Sequence, residues 1–184
     1  QEILTFDTPE VLSIGDVSAF SDGSFAVVDQ GQLDVDIYSG AGQHAGTFTA
    51  HGLTGPWGSA VDSNDVLWVA ANPGIWRFDR SGQHLGTIPT TWRVGDVVAL
   101  GDGTAWATEQ DAGRIVRLDL AGNELASFTT GLPNSHWGLA VMPDGKTSNP
   151  NEKPTPPAPP PLGMRSLSLF TKVRGPAKAT SSMS

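Results

Sequence analysis

The stretch WRFDRSGQHLGTI at 76–88 has two relatives in the same chain, IYSGAGQHAGTF at 37–48 and VRLDLAGNELASF at 116–128. Their central glycines, Gly42, Gly82 and Gly122, are evenly spaced along the chain. Each phrase is an apolar alternation, a turn containing glycine, and a second alternation, which is the pattern of a β-hairpin. Outward from these hairpins the same grammar continues. It predicts strands at 17–20, 25–28, 34–38 and 44–48, at 57–61, 66–70, 74–78 and 84–88, and at 97–100, 104–108, 114–118 and 124–128. A further strand is expected at 137–141, in HWGLAVMPDG, and a lone one at Ile3-Leu4-Thr5-Phe6.

Four short strands in a unit of about 40 residues are the signature of a β-propeller blade. The expected fold is all-β: about three complete four-stranded blades in residues 1–145, single strands at both ends, and a tail from 146 to 184. Closed propellers contain roughly four to eight blades. The expectation is therefore either a fragment or frame-shifted product of a longer propeller, or a chain that associates with another copy to close a ring. Trp68, Trp106 and Trp76 are expected to fill the wedges between blades. Arg77, Arg117, Asp79 and Asp119 read as solvated decoration, with His44 and His84 facing solvent.

The charge divides near residue 145. Residues 1–145 contain 18 acidic side chains, five arginines and no lysine, a balance of −13, while 146–184 carry +5. An acidic body repels phosphate backbones, which argues against nucleic acid and for a cation, an amine or a basic peptide as partner. Cysteine is absent, removing disulfides, thiolate catalysis and cysteine zinc sites. No apolar run approaches the roughly 18 residues that cross a bilayer. Repeats without lysine or cysteine, in a chain beginning at Gln1, are compatible with an exported protein, extracellular or periplasmic.

A longer period lies beneath the shorter one. Gly15-Asp16-Val17 recurs two units on as Gly95-Asp96-Val97, and Trp57-Gly58 recurs at the same interval as Trp137-Gly138. Aligning the units puts Asp16, Trp57, Asp96 and Trp137 at one position, alternating acid and indole.

The segments LWVAANPGIWRFDRSGQHLGTI and TAWATEQDAGRIVRLDLAGNELASF resemble NHL repeats, within the six-bladed propellers that include streptogramin lyases and gluconolactonase-like proteins. The pattern D-x-x-x-x-R-I-x-x-x-D followed by G-x-x-x-x-x-F is met best by the third unit, and the resemblance covers 2–145. It implies that each blade's first strand lines a central channel. Asp16, Trp57, Asp96 and Trp137 would then crowd the channel mouth, with Asp29, Asn72, Glu109 and Asp111 in adjacent loops. Carboxylates with indole faces suit a cation. The alternative is that the tryptophans pack between blades and the aspartates cap turns.

The lyase resemblance also implies a metal site of histidines and a glutamate, and Glu109 matches the glutamate position. Asp111 stands where a histidine is needed, however, Trp57 and Trp137 replace the histidine of P-H-G, and His136 is one residue out of register. A gluconolactonase-like calcium site would draw on Asp16, Asp96, Glu109 and Asn72. Neither a phosphate loop nor a nucleophile elbow is present. The reading is a non-enzymatic binding or interaction module needing no cofactor. The alternative is a fragment of a lyase or lactonase dependent on a divalent metal such as calcium or magnesium, with Asp16, Asp96 and Glu109 as candidate ligands.

The tail opens with the proline-rich KTSNPNEKPTPPAPPPLG. Such a stretch cannot enter a sheet interior, and disorder is expected, with docking to a proline-recognition partner or to the acidic blades as sharper options.

Overall fold

The computed structural model describes residues 8–50, 52–130, 138–142 and 168–171. Among these every regular element is a β-strand. The first blade is a meander of β1 (Ile14–Ala19), β2 (Phe25–Asp29), β3 (Asp34–Tyr38) and β4 (His44–Phe48). The second is β5 (Ser59–Val61), β6 (Leu67–Ala71), β7 (Gly74–Phe78) and β8 (His84–Ile88). The third is β9 (Val94–Ala99), β10 (Ala105–Glu109), β11 (Arg114–Leu118) and β12 (Glu124–Thr129). All neighbours pair antiparallel, and β1, β5, β9 and β13 (Leu139–Met142) lie side by side as the innermost strands.

The predicted strands are found, with one systematic difference. β1 and β9 begin at residues 14 and 94, three positions earlier than the alternation indicated, because a bulge lets the ladder continue through a non-alternating Gly-Asp pair. A second difference concerns the tail. Residues Ser168–Thr171 form β14, antiparallel to β13. An apolar run and an inner strand needing a neighbour are complementary there. The strand expected at Ile3–Phe6 lies outside the described residues.

The periodic glycines have two tasks. Gly42, Gly82 and Gly122 have φ of 77°, 85° and 83°, in turns closed by bonds such as Gly82 N to the Asp79 carbonyl at 3.0 Å. Positive φ is costly for residues with a Cβ. The turn also touches the preceding blade: a Cβ on Gly82 would lie 2.5 Å from the Phe48 ring, and one on Gly122 would lie 2.7 Å from the Pro89 carbonyl. The repeat therefore needs glycine for conformation and for close approach.

Two apolar wedges hold the blades together. Phe20, Val28, Val35 and Phe48 of the first meet Leu67, Val69, Trp76 and Phe78 of the second. Trp68, Ile75 and Ile88 of the second meet Val94, Val97, Ala107 and Val116 of the third. Trp68 and Trp76 are thus wedge residues as expected, while Trp106, on the outward side of the third blade, is half-buried against Phe128 with ring centroids 5.8 Å apart. His44 and His84 are exposed, as expected, and each also has a neighbour. His44 bonds Asp36 at 3.0 Å and packs edge-on to Tyr38, and His84 stacks on Trp76 at 4.7 Å. Asp79 and Asp119 organise their turns, each accepting backbone N–H groups two and four residues on, from Ser81 and Gln83 and from Ala121 and Asn123. Bonds from the Ser81 hydroxyl and the Asn123 side-chain amide, together with these backbone bonds, hold both carboxyls below the ordinary range.

The same repeat positions become exposed at the ends of the arc. Ile14 and Val17 are 57% and 53% exposed, whereas their counterparts Val94 and Val97 are each 1% exposed. Phe128 is 42% exposed where Phe48 and Ile88 are buried.

Gly23, with φ of 84° and open space around it, offers a control for the glycine argument. Gly23→Ala is expected to cost about 1 kcal/mol from conformation alone. Gly82→Ala is expected to cost about 2–4 kcal/mol, because the methyl group also meets Phe48. Urea unfolding of both variants checks the difference, and equal losses would show that close approach has no energetic role.

Candidate functional site

The inner strands open with a shared irregularity. In the first blade Ile14 pairs with Asp29 and Asp16 with Val28, leaving Gly15 as an extra residue. In the third, Val94 pairs with Glu109 and Val97 with Ala107, so Gly95 and Asp96 share the place opposite Thr108. In the second, Trp57 N donates to the Ala70 carbonyl at 2.9 Å and Ala70 N to the Gly58 carbonyl at 2.8 Å, so two residues again face one. This register corrects the sequence alignment by one residue. Asp16 and Asp96 correspond to Gly58, and Trp57 corresponds to Gly15 and Gly95. Acid and indole occupy adjacent places in one bulge, and sequence similarity could not separate them because the extra residue is visible only in the pairing.

The alternation has a steric cause. A Cβ on Gly58 would fall on the Asp96 side chain, 2.8 Å from its Cα. A Cβ on Gly15 would lie 2.8 Å from the Trp57 carbonyl oxygen. The inner strands come so close that Gly58 faces the Asp96 side chain, and Gly15 faces the Trp57 backbone and the Gln30 side chain.

Both aspartates use that room to reach across to the next blade. Asp16 accepts from Ser59 N at 2.8 Å and from Ser59 Oγ at 3.1 Å. Asp96 accepts from Leu139 N, and each acceptor lies 43 residues before its backbone donor. Asp96 is also held from within its own blade, where its N donates to Thr108 Oγ1 at 2.8 Å and its Oδ1 accepts from Val97 N at 2.8 Å. Ser18 and Ser59 hydroxyls add a bond at 2.9 Å across the first seam.

Asp16, Trp57 and Asp96 line one open cavity of about 470 Å³, together with Gly15, Gly58, Ser59 and Leu139. Among the described residues that line it, none is basic. Burial, with the charge of Asp16 adding to it, pushes the Asp96 carboxyl up to about 7 despite the bonds from Val97 and Leu139 that favour its ionised form. The cavity is thus acidic, and one of its acids is poised to exchange a proton near neutrality.

The other sequence candidates are not brought to it. Asp29 closes β2, where its carboxylate accepts the backbone N–H groups of Leu12, Ser13, Gly31 and Gln32. Glu109 accepts from Arg114 at 3.0 Å, and Asp111 pairs with Arg93 at 2.6 Å on the surface. Asn72 is exposed, and its backbone bonds Thr54. Trp137 lies outside the described residues. Ser59 joins the site without a sequence signal, since a lone serine carries none until a carboxylate is shown to face it.

No protein-family model matches the chain, and no curated protein matches it either. Solved structures do. A selenomethionine-substituted virginiamycin B lyase from Staphylococcus aureus aligns at TM-score 0.53 and 21% identity, covering 65% of this chain and 42% of that one. A streptogramin B lyase structure aligns at TM-score 0.59 and 15% identity, covering 73% and 46%. The fold is that of a β-propeller. The structure of U3-55K aligns comparably, at TM-score 0.58 and 16% identity over 72% of this chain and 44% of that one. The chain therefore spans less than half the length of the propellers it matches.

Removing a seam carboxylate leaves a buried backbone donor without its partner. Asp16→Ala is expected to destabilise the protein by about 1–3 kcal/mol, read as a shift in the urea midpoint. A shift below about 0.5 kcal/mol would mean the bond to Ser59 contributes nothing net.

Proposed function

We propose that the chain is an NHL-type propeller segment acting as a non-enzymatic binding module, whose channel mouth takes a cationic group such as an amine or a lysine or arginine side chain. The observation that supports this most is Asp16 and Asp96, from alternate blades, lining one cavity with Trp57 and no basic residue among its described lining. Two carboxylates supply charge, and an indole supplies a face for a cation. Against a metal-dependent lyase or lactonase weighs the placement of Glu109. The candidate ligand shared by both enzyme readings is bonded to Arg114 and is not part of the cavity.

Proton linkage gives the reading a signature. A cation in the cavity favours ionised Asp96, whose pKa stands raised to about 7, so binding expels a proton below that pH. Affinity for n-butylammonium, or for a short lysine peptide, is expected to rise between about pH 6 and 8 and level off above. Calorimetry should show Asp16→Asn with Asp96→Asn weakening binding about tenfold, the equivalent of roughly 1.4 kcal/mol. Asp111→Asn, outside the cavity, should change nothing. Equal affinity in the folded double variant would overturn the proposal.

Self-association belongs to the same reading. The apolar residues exposed at both ends of the arc are those buried at the internal seams, so these 184 residues alone are expected to associate. Sedimentation showing a monomer at high concentration would contradict that.

A further inference from the structure

The first blade carries a charge arrangement that its neighbours lack. Asp29 and Asp34 face each other across the β2–β3 ladder, and Asp36 follows two residues along β3 on the same side. At the corresponding places the second blade has Ala71, Gly74 and Trp76. The third has Glu109 opposite Arg114, ion-paired at 3.0 Å, and then Val116. Opposed like charges weaken a sheet, so the repeat does not call for three acids here.

The acids are also incompletely satisfied. Asp36 is 1% exposed, and its Oδ1 accepts from Thr47 Oγ1 at 2.7 Å and from His44 Nε2 at 3.0 Å. Its Oδ2 is buried without a partner, and so is Asp34 Oδ1. Asp29 is fully buried and is the satisfied member: its Oδ1 accepts from Ser13, Gly31 and Gln32 N, and its Oδ2 accepts one bond, from Leu12 N at 2.7 Å. One oxygen from each of the three lies within 4.8 Å of the others. That span is about twice a calcium–oxygen distance of roughly 2.4 Å, the separation of ligands on opposite sides of one ion. Burying carboxylate oxygens with neither a donor nor a counter-ion is costly.

We infer that Asp29, Asp34 and Asp36 form a site for a divalent cation that prefers oxygen ligands, of which calcium is the type. Asp34 and Asp36 supply the unpartnered oxygens, and Asp29 supplies charge and its less-used oxygen. Calcium tolerates irregular donor sets completed by water, which suits ligands fixed by a sheet register. The site shares no residue with the channel cavity.

Calorimetric titration of calcium chloride into the chelator-treated 184-residue chain tests this, with the melting temperature as second readout. The expected result is one equivalent bound and a raised melting temperature. Asp34→Asn and Asp36→Asn should each weaken binding at least tenfold, and Asp16→Asn with Asp96→Asn should leave it intact. Should Asp36→Asn fail to fold, Asp34→Asn serves alone. Its side chain is partly exposed, and losing a like charge should leave the calcium-free melting temperature equal or higher. No heat and no stabilisation up to millimolar calcium would overturn the inference, as would parental affinity in Asp34→Asn.

Discussion

The structure depends on how closely the inner strands of neighbouring blades approach. At the start of β1, β5 and β9 the backbone bulges, and glycines there lie within contact distance of the neighbouring strand. Asp96 takes the space over Gly58, and Gly15 lies against the Trp57 carbonyl and the Gln30 side chain. Blades that are alike in their outer turns therefore differ where Gly58 yields to Asp96.

The same constraint gives the cavity its chemistry. A side chain filling the seam from one blade must satisfy backbone groups of the next, and a carboxylate can accept several bonds at once. Asp16 and Asp96 do so from the first and third blades, so both carboxyl groups arrive at one opening. What ties blades together is also what makes the opening acidic. The two roles are compatible because bonds from N–H groups favour the ionised form, while burial holds the Asp96 carboxyl up at about 7.

The fold is legible in the sequence because turn glycines and strand alternation are local signals. Gly82 and Gly122 mark positions that a Cβ would spoil twice over, and the alternations of WRFD and HLGTI are read directly. The site is legible only in part. Asp16, Trp57 and Asp96 stand out through their repetition. Their relative alignment is off by a residue, since Gly15 and Gly95 are extra residues that only strand pairing exposes. Glu109 and Asp111 are acids in the right neighbourhood, but Arg114 and Arg93 take them, and which arginine reaches which acid is set by cross-strand register. The cluster of acids at 29, 34 and 36 is hidden for a related reason. DQGQLDVD reads as a polar hairpin until register places Asp29 opposite Asp34 and burial strips Asp36 of water.

The central claim is that seam carboxylates join one blade to the next through backbone N–H groups. Amide hydrogen exchange at Ser59, compared between the parent chain and Asp16→Ala, tests it most directly. The account predicts that Ser59 loses protection selectively, while the β2–β3 amides of the first blade keep theirs. Unchanged protection at Ser59 would contradict it.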